Sequence, residues 1–184
     1  MSLAGQFLAR AGGSWTDIRD HLPFIHEQAL GRGVLAELGV RSGNSTSALL
    51  AAIEADGGGE LYSVDIADAQ VPLAWHRLVA WHFLKADDLG DRARAFIPAR
   101  LDLLFIDTSH AFGHTLSELD AYGPRVRPGG VILCHDTHWA EGDVDLPGPD
   151  GPVARALTEW CARQNLEWED RPGSYGLGVV RIPP

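Results

Sequence analysis

The sequence is short of cysteine, of lysine and of long apolar runs. Its 184 residues hold two cysteines, Cys134 and Cys161, and a single lysine, Lys85. Two cysteines are too few for a disulfide framework, and both lie in apolar or helix-like segments, so we expect buried, reduced thiols and a cytoplasmic location. No apolar run reaches the length of a membrane span, and the first residues lack the unbroken apolar stretch that a secretory signal needs.

Positive charge is also scarce. Lysine and arginine together number 15 against 25 acidic residues, which gives a formal net charge of −10. Such a surface repels phosphate backbones and anionic lipids, so it argues against nucleic acid or a membrane surface as a partner. The length and the 45% of hydrophobic residues fit one globular domain with a full-sized core.

Short apolar runs alternate with longer amphipathic stretches, which is the pattern of a repeating strand-helix unit. Strands are predicted over residues 34–38, 60–64, 82–85, 101–106 and 131–134. Helices are predicted over residues 45–55, 71–80, 91–97 and 115–123. The run 101–106 is nearly all apolar, as expected of a central strand that is buried on both faces. The pattern predicts an α/β fold, with a parallel sheet and helices on both of its faces.

The C-terminal part follows a different pattern. After a Gly/Pro/Asp-rich segment, 141–152, the sequence predicts a helix over 153–165 and two apolar runs, 166–169 and 176–182. The residues between those runs are too few for a parallel crossover, so the runs should pair as an antiparallel hairpin. At the other end of the chain, residues 7–30 are expected to form one or two helices.

Two glycines, four residues apart, follow the first predicted strand. Gly39 would let a ligand approach the backbone, and Gly43 would allow the turn that aims the next helix N-terminus at that ligand. Asn44 and Ser45 are suitable capping residues there. A purely steric need for the glycines is the alternative. Arg41 stands where a dinucleotide-binding motif has its second glycine, which argues against NAD or FAD.

Two carboxylates lie close to that glycine turn. Glu37 falls inside an otherwise apolar strand, where an unpaired charge is costly, so it needs a partner. Asp65 ends the second strand, the place where α/β proteins often hold ribose hydroxyls. A helix N-cap is the alternative for Asp65.

Polar side chains follow the fourth and fifth strands. Because the carboxyl ends of parallel strands form the ligand-binding edge of an open sheet, this is the predicted active site. His110 is the first candidate for a general base and His138 the second. Asp107 and Asp136 could share a Mg²⁺ ion. His110 and His114 are four residues apart, but no third ligand follows at the spacing of a zinc motif, which argues against zinc.

Taken together, these motifs resemble the class I S-adenosylmethionine-dependent methyltransferases. The resemblance covers residues 34–137 and rests on Glu37-x-Gly39-x-x-x-Gly43, on Asp65, on the run 103–107 with His110, and on the run 127–136. More narrowly, it is to small-molecule O-methyltransferases, a group that includes macrocin and rhamnosyl O-methyltransferases and the cephalosporin-hydroxylase-like proteins.

The resemblance implies a Rossmann-like, doubly wound, seven-stranded sheet that ends in a C-terminal antiparallel hairpin. It also implies transfer of a methyl group from S-adenosylmethionine to a hydroxyl of a small metabolite, such as a sugar or a phenol. The implied cofactor-binding residues are Glu37, Gly39, Gly43, Asn44, Ser45, Asp65, Asp88 or its neighbour Asp87, and Asp107. The implied catalytic residues are His110, Asp107 and His138.

The metal-binding positions match those of the related enzymes less closely than the cofactor motifs do. Related enzymes hold Mg²⁺ with acids at the positions of Asp107 and Asp136. This sequence departs from them because His135 and Thr137 flank Asp136 where a second acid or an asparagine is common. Trp139, directly after this segment, is the aromatic residue that we expect beside an acceptor.

Residues 1–184 are expected to form a single domain with three parts: an N-terminal helical segment (1–33), the cofactor-binding core (34–137), and a loop, helix and hairpin (138–184). Since the core takes up most of the chain, acceptor recognition must come from the N-terminal helices, the loop 141–152 or a neighbouring subunit. We expect a homo-oligomer to complete the acceptor site. Two other functions stay open. One is a catalytically silent methyltransferase-like binding module; the other is a nicotinamide-dependent oxidoreductase, against which Arg41 and the antiparallel ending argue.

Overall fold

A computed structural model of the protein describes residues 3–13, 17–70 and 80–184. In these residues the strands are β1 (Val34–Leu38), β2 (Glu60–Asp65), β3 (Ala80–Lys85), β4 (Leu101–Ile106), β5 (Val126–His135), β6 (Trp139–Ala140), β7 (Val144–Asp145), β8 (Trp168–Arg171) and β9 (Leu177–Arg181). The α-helices are α1 (Leu3–Ala11), α2 (Leu22–Ala29), α3 (Asn44–Asp56), α4 (Asp91–Phe96), α5 (Phe112–Tyr122) and α6 (Pro152–Gln164).

Seven strands form the central sheet, in the order β3-β2-β1-β4-β5-β9-β8. The first five are parallel, whereas β9 runs antiparallel to both β5 and β8. The predicted doubly wound, seven-stranded sheet with its C-terminal antiparallel hairpin is therefore confirmed. The strand order reverses between β1 and β4, and ligands of open α/β sheets bind outside the strand ends at such a point.

Strand β4 shows why helices cover both faces. All six of its residues are buried, and successive side chains enter different cores. Leu103 and Phe105 join a core with residues of α2 and α3. Leu104 and Ile106 join a second core with residues of α4, α5 and α6. The apolar sequence of β4 follows from this double burial, as predicted.

Several boundaries differ from the predicted ones. Strand β5 begins at Val126 rather than at residue 131, because Val126 already pairs with Leu101 of β4. A register shift follows, and pairing resumes between Val131 and Leu103. The loop predicted over 141–152 contains the strand β7, which pairs with β6 in a small hairpin. The helix predicted over 71–80 lies outside the described residues, except that Ala80 begins β3.

The N-terminal segment contains two α-helices, α1 and α2, as one of the predicted alternatives had it. Both cysteines are free and buried, which agrees with the prediction of reduced thiols. Among the described residues, no helix has the length and apolar character needed to cross a membrane.

Candidate functional site

The glycine turn after β1 is shaped by the neighbouring strand β4. Gly39 has a φ of +87°, and a Cβ atom at this position would lie 1.8 Å from the carbonyl oxygen of Asp107. The turn is held by two backbone hydrogen bonds, from the Gly39 N–H to Val64 and from the Asp107 N–H to Leu38, each 2.9 Å long. The steric explanation therefore accounts for Gly39, because no other residue fits this conformation and this space.

Glu37 is wholly buried, and three hydroxyl groups provide the partners that it needs. Ser45 donates to Oε1 at 2.7 Å, Ser63 donates to Oε2 at 2.6 Å, and Thr46 lies within 3.0 Å of both oxygens. Burial raises the pKa of Glu37 to about 7 even though these hydrogen bonds lower it. Ser45 and Thr46 lie in the first turn of α3, so Glu37 holds the start of this helix against the sheet.

A cavity of about 420 Å³ opens at the carboxyl ends of β1, β2 and β4. Pockets that bind small molecules have volumes of roughly 300–1,000 Å³. Residues lining it include Gly39, Asp65, Asp87, Asp88, Asp107, His110 and His114. Four predicted cofactor residues are not part of this lining, namely Glu37, Gly43, Asn44 and Ser45. Direct cofactor contact by any of these residues stays a prediction.

Asp65, which we predicted to hold ribose hydroxyls, lines this cavity. Its Oδ2 accepts hydrogen bonds from the backbone N–H groups of Val40 at 2.8 Å and Arg41 at 2.9 Å, and its Oδ1 accepts one from Ala67 at 2.8 Å. A carboxylate offers about four acceptor positions. Three backbone bonds therefore hold Asp65 in place and leave an acceptor position for a hydroxyl donor in the cavity.

Two aspartates and two histidines meet at the ends of β4 and β5. Nε2 of His110 lies 2.8 Å from Oδ2 of Asp136 and 3.6 Å from Oδ1 of Asp107. Nδ1 of His135 lies 3.0 Å and 3.6 Å from the same two oxygens. His110 and Asp136 both have positive φ angles, of 54° and 69°. Strained backbone of this kind clusters at functional sites.

In this cluster of Asp107, His110, His135 and Asp136, the charged acids and imidazoles stabilise one another. Burial lowers the pKa of His110, but its hydrogen bonds to Asp107 and Asp136 and their charges outweigh burial and raise that pKa to about 9. The same two acids raise the pKa of His135 well above its ordinary value. In return, the two imidazoles hold the pKa of Asp107 far below its usual range, although burial alone would raise it.

His138 lies outside this cluster. Its Nε2 is 2.9 Å from Oδ2 of Asp170, and its Nδ1 faces the carbonyl oxygen of Leu146 at 3.2 Å. Thr137 also donates to Asp170, at 3.1 Å. Both ring nitrogens of His138 are therefore engaged by Asp170 and Leu146, and the structure does not bring this second base candidate to Asp107.

The ring of Trp139 lies beside the cluster, whereas its contact with an acceptor stays a prediction. Its ring is 4.9 Å from that of His110 in an edge-to-face arrangement. Its indole N–H donates to Asp143 at 3.1 Å, which fixes the ring on the small hairpin of β6 and β7. An acceptor bound next to His110 would therefore contact an aromatic wall.

Among the residues that the structure describes, two groups of side chains could hold a cation. In each group, one ligand atom per residue lies within 4.8 Å of the others. The first group is Asp107, His110 and Asp136, which contains the predicted metal pair. The second is Asp88, His114 and Glu118, which the sequence interpretation missed because Asp88 is distant in the chain. The spacing of His114 and Glu118 on one helix face was the available signal.

Comparisons with known proteins agree with the fold. A family model described as "Methyltransferase domain" matches residues 36–137. The O-methyltransferase NovP has a TM-score of 0.69 at 15% identity, with 99% of this chain and 98% of NovP covered. The methyltransferase PaMTH1 of Podospora anserina, solved with SAH, has a TM-score of 0.58 at 13% identity, with 99% and 94% covered.

A third structure is longer than this chain. MycE, a methyltransferase from the mycinamycin biosynthetic pathway, was solved with Mg, SAH and mycinamycin VI. Its TM-score is 0.64 at 16% identity, and the match covers 98% of this chain but 53% of MycE. No curated protein sequence gives a significant match. At these identities the structures show the shared fold, whereas the family match confirms the resemblance predicted from the motifs.

Proposed function

Because the chain belongs to the methyltransferase-domain family, we propose that it transfers the methyl group of S-adenosylmethionine to a hydroxyl of a small acceptor. The observation that carries this proposal is one continuous cavity, which runs from Asp88 past Asp65 to Asp107 and His110. The cavity therefore places carboxylates that can accept hydrogen bonds from a nucleoside beside a cluster of acids and imidazoles. The structures of PaMTH1 and MycE contain SAH, which supports the same cofactor here.

The cavity residues fit a nucleoside. Asp65 retains an acceptor position for ribose hydroxyls, and Asp88 or Asp87 offers a carboxylate at the far end for the adenine amino group. Glu37 acts indirectly, because it holds the start of α3 against the sheet. The N-terminus of α3 begins directly after Gly43 and provides backbone N–H groups for a carboxylate.

Bound S-adenosylmethionine supplies an activated methyl group and a neutral leaving group. What the protein must add is positioning of the acceptor and removal of its hydroxyl proton. We assign that proton to Nε2 of His110, which lies at the cavity wall between Asp107 and Asp136 and accepts the proton in its neutral form. Because the two acids raise the pKa of His110 to about 9, methyl transfer should become faster as the pH rises toward 9. These acids orient the ring and stabilise its charged form, while Trp139 limits the acceptor space on one side.

Asp107 and Asp136 are the residues that would hold Mg²⁺, since their oxygens and His110 lie within 4.8 Å of one another. A bound divalent cation would lower the pKa of the acceptor hydroxyl. The buried ring of His135 contacts Asp107 and Asp136 from the protein interior, so a cation would approach these two carboxylates from the cavity.

The partners follow from charge and size. The net charge of −10 opposes nucleic acid, so we propose a small-molecule acceptor, of the sugar or phenol class. We also propose a homo-oligomer, because the cofactor-binding core takes up most of the chain. Free, buried cysteines favour a reducing cytoplasm.

The test is equilibrium binding of S-adenosylmethionine by calorimetry. Asp65→Asn should weaken binding about tenfold or more, because a charge-assisted hydrogen bond contributes roughly 1.5–3 kcal/mol. Asp68→Asn is the matched control, since Asp68 is exposed and pairs with Lys85. Circular dichroism checks that both variants fold. Preference for NADH over S-adenosylmethionine, or equal binding by both variants, would contradict the proposal.

Binding alone does not distinguish an enzyme from a silent binding module. A labelled methyl group on S-adenosylmethionine, offered with panels of phenols and sugars, gives the second readout. Transfer that His110→Gln abolishes while cofactor binding persists supports the proposed base. Cofactor binding without transfer to any acceptor, in the wild type, would favour the silent module.

A further inference from the structure

Asp88, His114 and Glu118 form a second polar cluster, which we call the α5 cluster. His114 and Glu118 are one turn apart on the same face of α5, and Asp88 approaches them from the loop after β3. Nε2 of His114 lies 3.1 Å from Oδ2 of Asp88 and 3.7 Å from Oε1 of Glu118. The cluster therefore combines one imidazole nitrogen with two carboxylate oxygens.

These separations match the edges of a metal coordination shell. A tetrahedral cation with bonds of roughly 2.0–2.2 Å to nitrogen and oxygen places its ligand atoms about 3.3–3.6 Å apart. The distances from His114 to the two acids lie close to this range. Three protein ligands that include imidazole and carboxylate, with a further position open, are typical of sites for Zn²⁺ and similar cations.

Glu118 gives a second indication that the cluster can take a positively charged ligand. Its side chain is wholly buried, and its Oε2 accepts no hydrogen bond within the part of the chain that the structure describes. Burial and the neighbouring Asp88 raise the pKa of Glu118 to about 10, so without a cation the two carboxyl groups share a proton. A cation bound between Glu118 and Asp88 would satisfy both carboxylates at once.

The surroundings hold the cluster in shape. Thr108 donates its hydroxyl hydrogen to Oε1 of Glu118 at 2.8 Å and so orients that carboxylate. The buried Tyr122 donates to the backbone carbonyl of Asp88 and anchors the loop against α5. Outer contacts of this kind fix the direction of metal ligands in known sites.

We propose that the α5 cluster binds a divalent transition-metal cation of the Zn²⁺ class. Asp88, His114 and Glu118 each supply one ligand atom, and the remaining coordination position faces the cavity that Asp88 and His114 line. The bound cation ties the loop after β3 to α5. This site is separate from Asp107 and Asp136, and cation binding there does not depend on the proposed methyl transfer. With Asp88 as a metal ligand, Asp87 is the carboxylate left for the adenine amino group.

Titration of the metal-free protein with Co²⁺ is the test, because a tetrahedral Co²⁺ complex absorbs visible light. The wild type should develop this absorption at one equivalent of Co²⁺, and Zn²⁺ should displace it. His114→Gln should abolish it, and Glu118→Gln should weaken Co²⁺ binding about tenfold or more. His114 is half-exposed, so its replacement should leave the fold intact, as circular dichroism would verify.

His110→Gln is the control, since His110 belongs to the other group of potential ligands. This variant should keep the Co²⁺ absorption of the wild type. The proposal is overturned if the wild type shows no such absorption, if His114→Gln retains it, or if His110→Gln loses it. X-ray absorption at the zinc edge of the wild type is a check without substitution: one imidazole and two carboxylate ligands support the site, and their absence overturns it.

Discussion

Replacement of Gly39 by alanine should destabilise the protein through one identifiable contact. The new Cβ would lie 1.8 Å from the carbonyl oxygen of Asp107, so the ends of β1 and β4 would have to separate. Backbone hydrogen bonds to Val64 and Leu38 oppose that movement. The positive φ adds strain of about 1–2 kcal/mol, and the overlap adds roughly 1–3 kcal/mol more. We therefore expect a loss of about 2–5 kcal/mol in the free energy of unfolding.

Gly57→Ala separates the two contributions. Gly57 ends α3 with a φ of +76°, and a Cβ there would have nothing within 4 Å. This control should lose about 1–2 kcal/mol, the strain alone. Urea unfolding followed by circular dichroism, with an unchanged slope against urea concentration, measures both losses. If Gly39→Ala is no less stable than Gly57→Ala, the contact with Asp107 does not determine the turn.

Two further predictions concern the dependence of stability on pH. Folding raises the pKa of His110 from 6.5 to about 9, so its charged form contributes about 3 kcal/mol below pH 6.5, which is lost as the pH rises through 9. His110→Gln should flatten this decline in urea unfolding measured from pH 6 to 10; an unchanged decline would contradict the assignment. Folding also raises the pKa of Glu37 from 4.5 to about 7, so ionising it costs about 3 kcal/mol, a cost absent below pH 4.5 and complete above pH 7. Glu37→Gln should remove that loss of stability between pH 4.5 and 7. A free energy of unfolding that depends on pH as in the wild type would refute the raised pKa of Glu37.

Much of the sheet could be predicted from the sequence because burial leaves a strong pattern. Strands β1 and β4 have the predicted bounds, since their apolar runs end where the chain leaves the core. The start of β5 could not be found in this way. Arg127 and Gly129 have the composition of a turn. They lie in the register shift between the pairs Leu101–Val126 and Leu103–Val131, which depends on tertiary structure.

The part of the candidate site that lies directly at the strand ends could be predicted from the sequence. Asp107, His110 and Asp136 lie together because β4 and β5 are adjacent and parallel. His138 does not join them: Asp136 adopts a positive φ, and the following residues turn toward Asp170 on β8. Backbone conformation of this kind leaves no periodic pattern in a sequence.

Contacts between distant segments were the other information that the sequence lacked. The carbonyl oxygen that Gly39 faces belongs to Asp107, directly after β4, so the steric reason for this glycine became visible only with the strand pairing. Asp88 and Glu118 are likewise distant in the chain and meet because α5 packs beside the loop after β3. Periodicity predicts which residues are buried, but it does not predict these pairings.

The most direct test of the central claim is a crystal structure of the protein with S-adenosylhomocysteine. The account predicts the ligand in the cavity between Asp65 and Asp107, with a ribose hydroxyl about 3 Å from the Asp65 carboxylate. Its sulfur should lie on the side of the cavity nearest His110. A ligand bound elsewhere, or one whose ribose does not contact Asp65, would contradict the account.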